Sequence, residues 1–194
     1  TRALVSTTGT TGTSGTTGTT GTTGTGEELT LFSSSWKDRL DPAVVPGAAV
    51  LDRAIPGRLL NFAWHRLGWP PVERLTRERF DIVQAFHPLL IPSASAARLV
   101  TIHDLDFLDH PERTRGEIRR DYPSLAGPHA RRADHVIVNS MSTAADVARR
   151  LDVPADRITV CTPGAPPWAP RTEEPADGCI LFLGTLEPRK NLGV

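Results

Sequence analysis

The chain has 194 residues, 22 basic side chains against 22 acidic ones and two cysteines. The basic residues are scattered, which argues against nucleic acid as a partner, and Cys161 and Cys179 lie far apart without metal-ligand spacing, which argues against a zinc site or a disulfide framework. No apolar stretch approaches the roughly 20 residues a membrane span needs and the N-terminus lacks the layout of a signal peptide, so the chain reads as soluble and cytoplasmic.

In chain order, the first segment is Thr1-Arg2-Ala3-Leu4-Val5, followed at residues 7–26 by Thr and Gly with a single Ser in a near three-residue repeat. No hydrophobic face of either period passes through that tract, so residues 1–27 are expected to hold a residual helix start and a disordered Thr/Gly tether. A collagen strand is excluded by the lack of proline. About 170 residues remain outside the tract, enough for one α/β domain with a real core.

Short apolar runs rich in β-branched residues predict strands near Leu29 to Ser33, Asp81 to Phe86, Leu99 to His103, His135 to Asn139, Ile158 to Cys161 and Cys179 to Leu183. Helical spacing predicts helices at Arg58 to Leu67, Arg113 to Arg120, Gly127 to Arg132 and Ser142 to Leu151. The alternation implies a doubly wound, Rossmann-like parallel sheet over residues 28–162. Residues 163–178, rich in proline, form an irregular connector, and residues 179–194 open a second lobe with one strand and a helix start.

In such sheets ligands sit at the carboxyl ends of the strands. Three of these ends are polar here: Phe86-His87-Pro88, Ile102-His103-Asp104 with Asp106 beyond it, and Val138-Asn139-Ser140. His103 can handle a proton or touch a substrate, with Asp104 or Asp106 orienting the ring; equally, it can close a strand while the aspartates start a turn. His87 carries the same two readings more weakly. Asn139 and Ser140 read first as caps of the following helix and second as ligand contacts. Strand, Gly184, a short loop and Pro188 precede Arg189 and Lys190, so free helix-start amides and two cations meet where a diphosphate would fit. The plain alternative is a basic helix start facing water. Arg53 to Trp69, read as a helix, has an apolar stripe of Leu59, Leu60, Ala63, Trp64 and Leu67 opposite Arg58, Asn61 and His65. Such a basic, Trp-bearing helix either rests on an anionic membrane or packs on its own sheet.

Taken in series, these segments resemble the family-4 retaining glycosyltransferases, enzymes with two facing Rossmann-like lobes, known as the GT-B fold. The resemblance is carried by Phe80 to Val83, Val100 to Leu105, Ala133 to Ser140, Arg157 to Val160 with Pro163-Gly164, and most specifically by Gly184-Thr185-Leu186-Glu187-Pro188-Arg189-Lys190-Asn191-Leu192. It implies that Arg189 and Lys190 bind the donor diphosphate, that His103 contacts the transferred sugar or aids the chemistry, and that His87, Asp104, Asn139 and Ser140 line the sugar or acceptor site. No metal and no cofactor are needed; a nucleotide sugar is the donor. A glycan or lipid-linked acceptor is the partner, with Arg53 to Trp69 touching the inner face of the plasma membrane.

The expected activity is retaining transfer of a hexose, with mannose first, in polysaccharide or glycolipid biosynthesis. The alternatives are a non-catalytic sugar or anion binder and a nucleotide-sugar epimerase of the same architecture, against which Glu187 to Asn191 argues. Two departures from the family pattern stand out. Thr1 to Val5 resembles the helix after the usual Gly-rich loop, and the Thr/Gly tract replaces the rest of that helix. The chain also reads as a fragment, inactive alone, whose paired glutamates would lie beyond Val194.

Overall fold

The computed structural model describes residues 2–7, 28–34, 41, 47–114 and 116–164, together with positions 169, 172, 178, 182 and 184. Apart from Phe182, the strand expected at Cys179 to Leu183 lies outside the described residues, as do the helix start after it and residues 8–26 of the Thr/Gly tract.

Among the described residues, seven strands form one sheet in the order β3-β2-β1-β4-β5-β6-β7, and every neighbouring pair is parallel. The strands are β1 (Arg2–Thr7), β2 (Glu28–Ser34), β3 (Ala49–Arg53), β4 (Ile82–Ala85), β5 (Ala97–Ile102), β6 (His135–Val138) and β7 (Ile158–Val160). The order reverses between β1 and β4, so the chain leaves those two neighbours in opposite directions and opens a crevice at their carboxyl ends. The expected Rossmann-like α/β architecture is therefore present.

Flanking this sheet are α1 (Gly57–Phe62), a π-helical turn (Ala63–Leu67), α2 (Val72–Thr76), α3 (Asp106–Asp109), α4 (Gly116–Arg132) and α5 (Met141–Leu151). One core cluster joins Phe32 and Val83 on the sheet to Leu60, Trp64 and Val72. The other joins Val100, Ile102, Val136 and Val138 to Ala126, Ala130, Val147 and Leu151. In β2 five consecutive residues, Thr30 to Ser34, are buried, as expected of a strand covered on both faces. At β4 and β6 burial alternates, with Val83, Ala85, Val136 and Val138 inside.

Four expectations need correction. Residues 2–7 are a strand, not the start of a helix, and β1 pairs with β2 along its length and with β4 from Ala3 to Ser6; a lone six-residue segment carries no period that separates the two, and only its neighbours decide. β3 was not expected, because Ala49–Arg53 is a short edge strand with one exposed and four half-buried residues. The two helices expected at Arg113 to Arg120 and Gly127 to Arg132 are one helix, α4, despite Pro123 and Pro128 inside it. An internal proline costs a helix about 3 kcal/mol, but Ala126 and Ala130 lie fully buried against the sheet, and packing of that small-residue stripe keeps the helix continuous.

The fourth correction concerns Arg53 to Trp69. Leu60 and Trp64 face the core, whereas Leu59 and Leu67, expected in the same stripe, are 62% and 65% exposed. The π-helical turn takes a wider hydrogen-bond step, with the Gly68 amide reaching back to Ala63 O, and so rotates Leu67 away from the stripe. Gly68 ends the turn at φ 64°, a left-handed conformation that favours glycine. Trp64 anchors the segment: its ring sits 5.5 Å from Phe32 and its indole N–H donates to Pro70 O at 2.9 Å.

Candidate functional site

The polar strand ends gather at the carboxyl edge of the sheet in two groups. The first joins β5 to β6. His103 follows β5 directly and is exposed, and its carbonyl oxygen lies 3.3 Å from the Thr143 hydroxyl on α5. That hydroxyl is also 3.3 Å from Asn139 Oδ1 and 2.9 Å from Ser140 Oγ. Its one proton is shared between His103 O and Asn139 Oδ1 while the Ser140 hydroxyl can donate to it, and in this way it holds the end of β5 beside the end of β6. Ser140 Oγ further accepts from the Thr143 amide at 3.1 Å and caps α5. The capping reading of Ser140 thus holds, and the residue still lies beside His103 through Thr143.

Asp104 is exposed, and one of its carboxylate oxygens accepts from the Asp106 amide at 3.1 Å. The pair therefore forms the turn that opens α3, which was the plain reading of these aspartates. Arg150 of α5 holds that helix from its other end, with two hydrogen bonds of 2.7 and 2.8 Å to the Asp109 carboxylate.

The second group lies at the end of β4. His87 Nδ1 accepts from the Leu89 amide at 3.2 Å, and His129 Nδ1 of α4 accepts from the next amide, Leu90, at 2.9 Å. Each imidazole with an accepting Nδ1 carries its proton on Nε2. His129 Nε2 then donates to His65 O, 3.2 Å away in the π-helical turn. His129 is thus satisfied at both nitrogens and ties α4, the loop after β4 and the π-helical turn together. The ring of His65 lies 5.5 Å from that of His87 and 6.1 Å from that of His129, both edge-on. Tyr122 of α4 stacks near His87 at 6.4 Å.

All three histidines are held neutral. Burial, reinforced by His87 and His129, pushes His65 down to about 3. Burial, with His129 adding to it, pushes His87 down to about 4. Burial also lowers His129, against the raising effect of its bond to the His65 carbonyl. An uncharged imidazole can both donate and accept, which suits hydroxyl groups better than anions.

The structure therefore brings His103, Asn139 and Ser140 together and gives His87 a separate set of neighbours on the next strand. Arg189 and Lys190 lie outside the described residues. His129 was missed: a lone histidine within a helix carries no local signal, and its partners are 39 and 64 residues away in sequence. His65 was placed on the polar side of its helix, but its role as a neighbour of His87 was not legible.

Among the described residues no three His, Cys, Asp or Glu side chains are grouped to hold a metal ion, and no helix is long and apolar enough to cross a membrane. Residues 22–167 match the family model of glycosyltransferase family 4. No curated protein matches the chain.

Proposed function

Since the chain belongs to glycosyltransferase family 4, we propose that it forms the acceptor-side lobe of a GT-B enzyme that transfers a hexose, mannose first among the candidates, from a nucleotide sugar to a polysaccharide or glycolipid acceptor. The observation that carries this reading is the convergence of His103, Asn139 and Ser140 through Thr143 at the carboxyl edge of a parallel sheet, the edge where α/β folds take their ligands.

In this reading the bond between the anomeric carbon and the donor phosphate breaks while the acceptor oxygen bonds to the same face of that carbon, so configuration is retained. The acceptor proton leaves with the diphosphate. Arg189 and Lys190, which follow Pro188 in the sequence, stabilise the charge that develops on the leaving group, and no metal is required. His103 hydrogen-bonds the transferred sugar, and Asp104 holds the turn beside it.

A peripheral membrane contact completes the proposal and places the protein at the inner face of the plasma membrane. It is supported by the exposure of Leu59 (62%), Phe62 (58%), Leu67 (65%) and Trp69 (57%). Six arginines against two glutamates lie from Arg53 to Arg79 in a chain whose totals are equal, 22 basic against 22 acidic. Large apolar side chains set among arginines suit an anionic lipid surface.

The test is sugar transfer from a panel of nucleotide hexoses to lipid-linked and polysaccharide acceptors, in the protein that carries this lobe and in its His103→Ala variant. Transfer that falls on the order of a hundredfold in the variant, with an unchanged fold, supports the assignment. Equal transfer by both removes His103 from the site. Glycoside binding without transfer from any donor would favour the non-catalytic sugar-binding alternative.

A further inference from the structure

Among the described residues, Asn61 Oδ1, His65 Nε2 and His87 Nε2 are enclosed polar atoms with no hydrogen-bond partner. Such atoms are rare, because leaving one unmade costs about 1–3 kcal/mol, and each calls for an occupant. They are also close in the fold. Asn61 lies one turn before His65 on the same helical segment, and the His65 ring is 5.5 Å from that of His87. Their chemistry is complementary. The Leu89 amide fixes the proton of His87 on Nε2, which makes that atom a donor in search of an acceptor, while Asn61 Oδ1 is an acceptor in search of a donor. A hydroxyl group supplies both at once.

Three further features favour a ligand over mere packing. The residues sit at the carboxyl edge of β4, beside the reversal of strand order between β1 and β4. His65 lies in a π-helical turn, a distortion that recurs at functional sites. His129, satisfied at both nitrogens, braces the loop and the turn that carry the other two histidines, so the arrangement is held in place rather than collapsed onto itself.

We propose that Asn61, His65 and His87 form a subsite for a hydroxyl group of a neutral glycan acceptor, with His129 as the positioning residue behind it. This deepens the acceptor-lobe reading and rests on it. Burial keeps both histidines uncharged at neutral pH, so the subsite selects a polyhydroxyl compound over a phosphate.

The test uses the whole chain with ¹⁵N-labelled histidine. Methyl α-mannoside and methyl α-glucoside are titrated in, with inorganic phosphate as the control, and the imidazole resonances are followed. The expected result is a saturable shift of the His65 and His87 Nε2 signals with glycoside and none with phosphate. Asn61→Ala and His87→Phe should weaken glycoside binding about tenfold, equivalent to 1.4 kcal/mol. Asn61→Ala removes an unpaired acceptor and should not lower the urea midpoint, so weaker binding by that variant cannot come from misfolding. Glycoside binding with unchanged affinity in both variants, or without any shift at His65 and His87, overturns the subsite and leaves the acceptor-lobe reading standing. Failure of the unsubstituted chain to bind either glycoside overturns that reading and the subsite with it.

Discussion

Lowering the pH from 7.5 to 5 should destabilise the fold through His65 and His87. An unfolded histidine titrates near 6.5, whereas in the folded chain these two titrate at about 3 and about 4. Between the folded and unfolded values the unfolded chain binds a proton at each site that the folded chain refuses, and stability therefore falls as pH falls. The contribution is fully present above pH 6.5. At pH 5 each histidine has crossed about 1.5 units of that window, equivalent to about 2 kcal/mol at 1.36 kcal/mol per unit. The two sites together make a loss of about 4 kcal/mol, against a typical domain stability of 5–15 kcal/mol. His129, also lowered by burial, acts in the same direction. Carboxylates held low by their partners, such as Asp134 beside Arg98, lose their contribution only below the ordinary carboxylate range, so pH 5 isolates the histidines. Urea unfolding followed by tryptophan fluorescence at pH 7.5, 6.5, 5.5 and 5 gives the slope directly. The double variant His65→Phe, His87→Phe should lose most of that slope. A stability that stays flat from pH 7 to 5 in the unsubstituted chain would refute the burial argument.

Other perturbations test the fold and the proposed contacts separately. Trp64→Ala should cost about 3–5 kcal/mol in urea unfolding, because the side chain is 1% exposed and packs on Phe32; a loss below 1 kcal/mol would mean that the π-helical turn is not anchored through it. Ser140→Ala removes the α5 cap and should cost about 1 kcal/mol, while Ser140→Asp restores most of it; equal stability of all three proteins would show that the cap is dispensable. Replacing Leu59, Phe62, Leu67 and Trp69 together by serine should abolish sedimentation with vesicles rich in anionic lipid without lowering stability, since all four are exposed. Retention on those vesicles would place the membrane contact elsewhere.

The sequence displays the sheet more plainly than the site, and the reason is physical. β2, β4, β5, β6 and β7 announce themselves because each is a short run dominated by β-branched and aliphatic residues, such as Leu99 to Ile102, and that composition is legible in one stretch of chain. β1 does not, because its identity as a strand lies in its pairing with Glu28–Ser33 on one side and Ile82–Ala85 on the other. The same distinction separates the two polar groups at the carboxyl edge. His103, Asn139 and Ser140 each follow a legible strand, so their shared location could be inferred from topology alone, and only the Thr143 hub had to be seen. The His65, His87 and His129 group depends on contacts between a π-helical turn, a loop and a helix, none of which carries a period that marks the residue.

The loop after β4 shows why the histidines stand where they do. Residues 87–92 run from a strand end to Pro92 without helix or strand, yet Leu89, Leu90 and Ile91 are buried, so the amides of this segment must find partners away from water. The Leu89 and Leu90 amides find theirs in the Nδ1 atoms of His87 and His129. A serine or asparagine could accept from such an amide as well, but an imidazole fixed in this way also has its second nitrogen set as a donor on the far side of the ring. At His129 that donor reaches the His65 carbonyl and closes the brace. At His87 it meets no partner. The same local requirement, an acceptor for a buried loop amide, thus yields a structural histidine in one place and a donor poised for a ligand in the other. Replacing His129 by glutamine should leave the glycoside site formed but shift its geometry, weakening glycoside binding less than His87→Phe does. A weaker effect from His87→Phe than from His129→Gln would reverse these two roles.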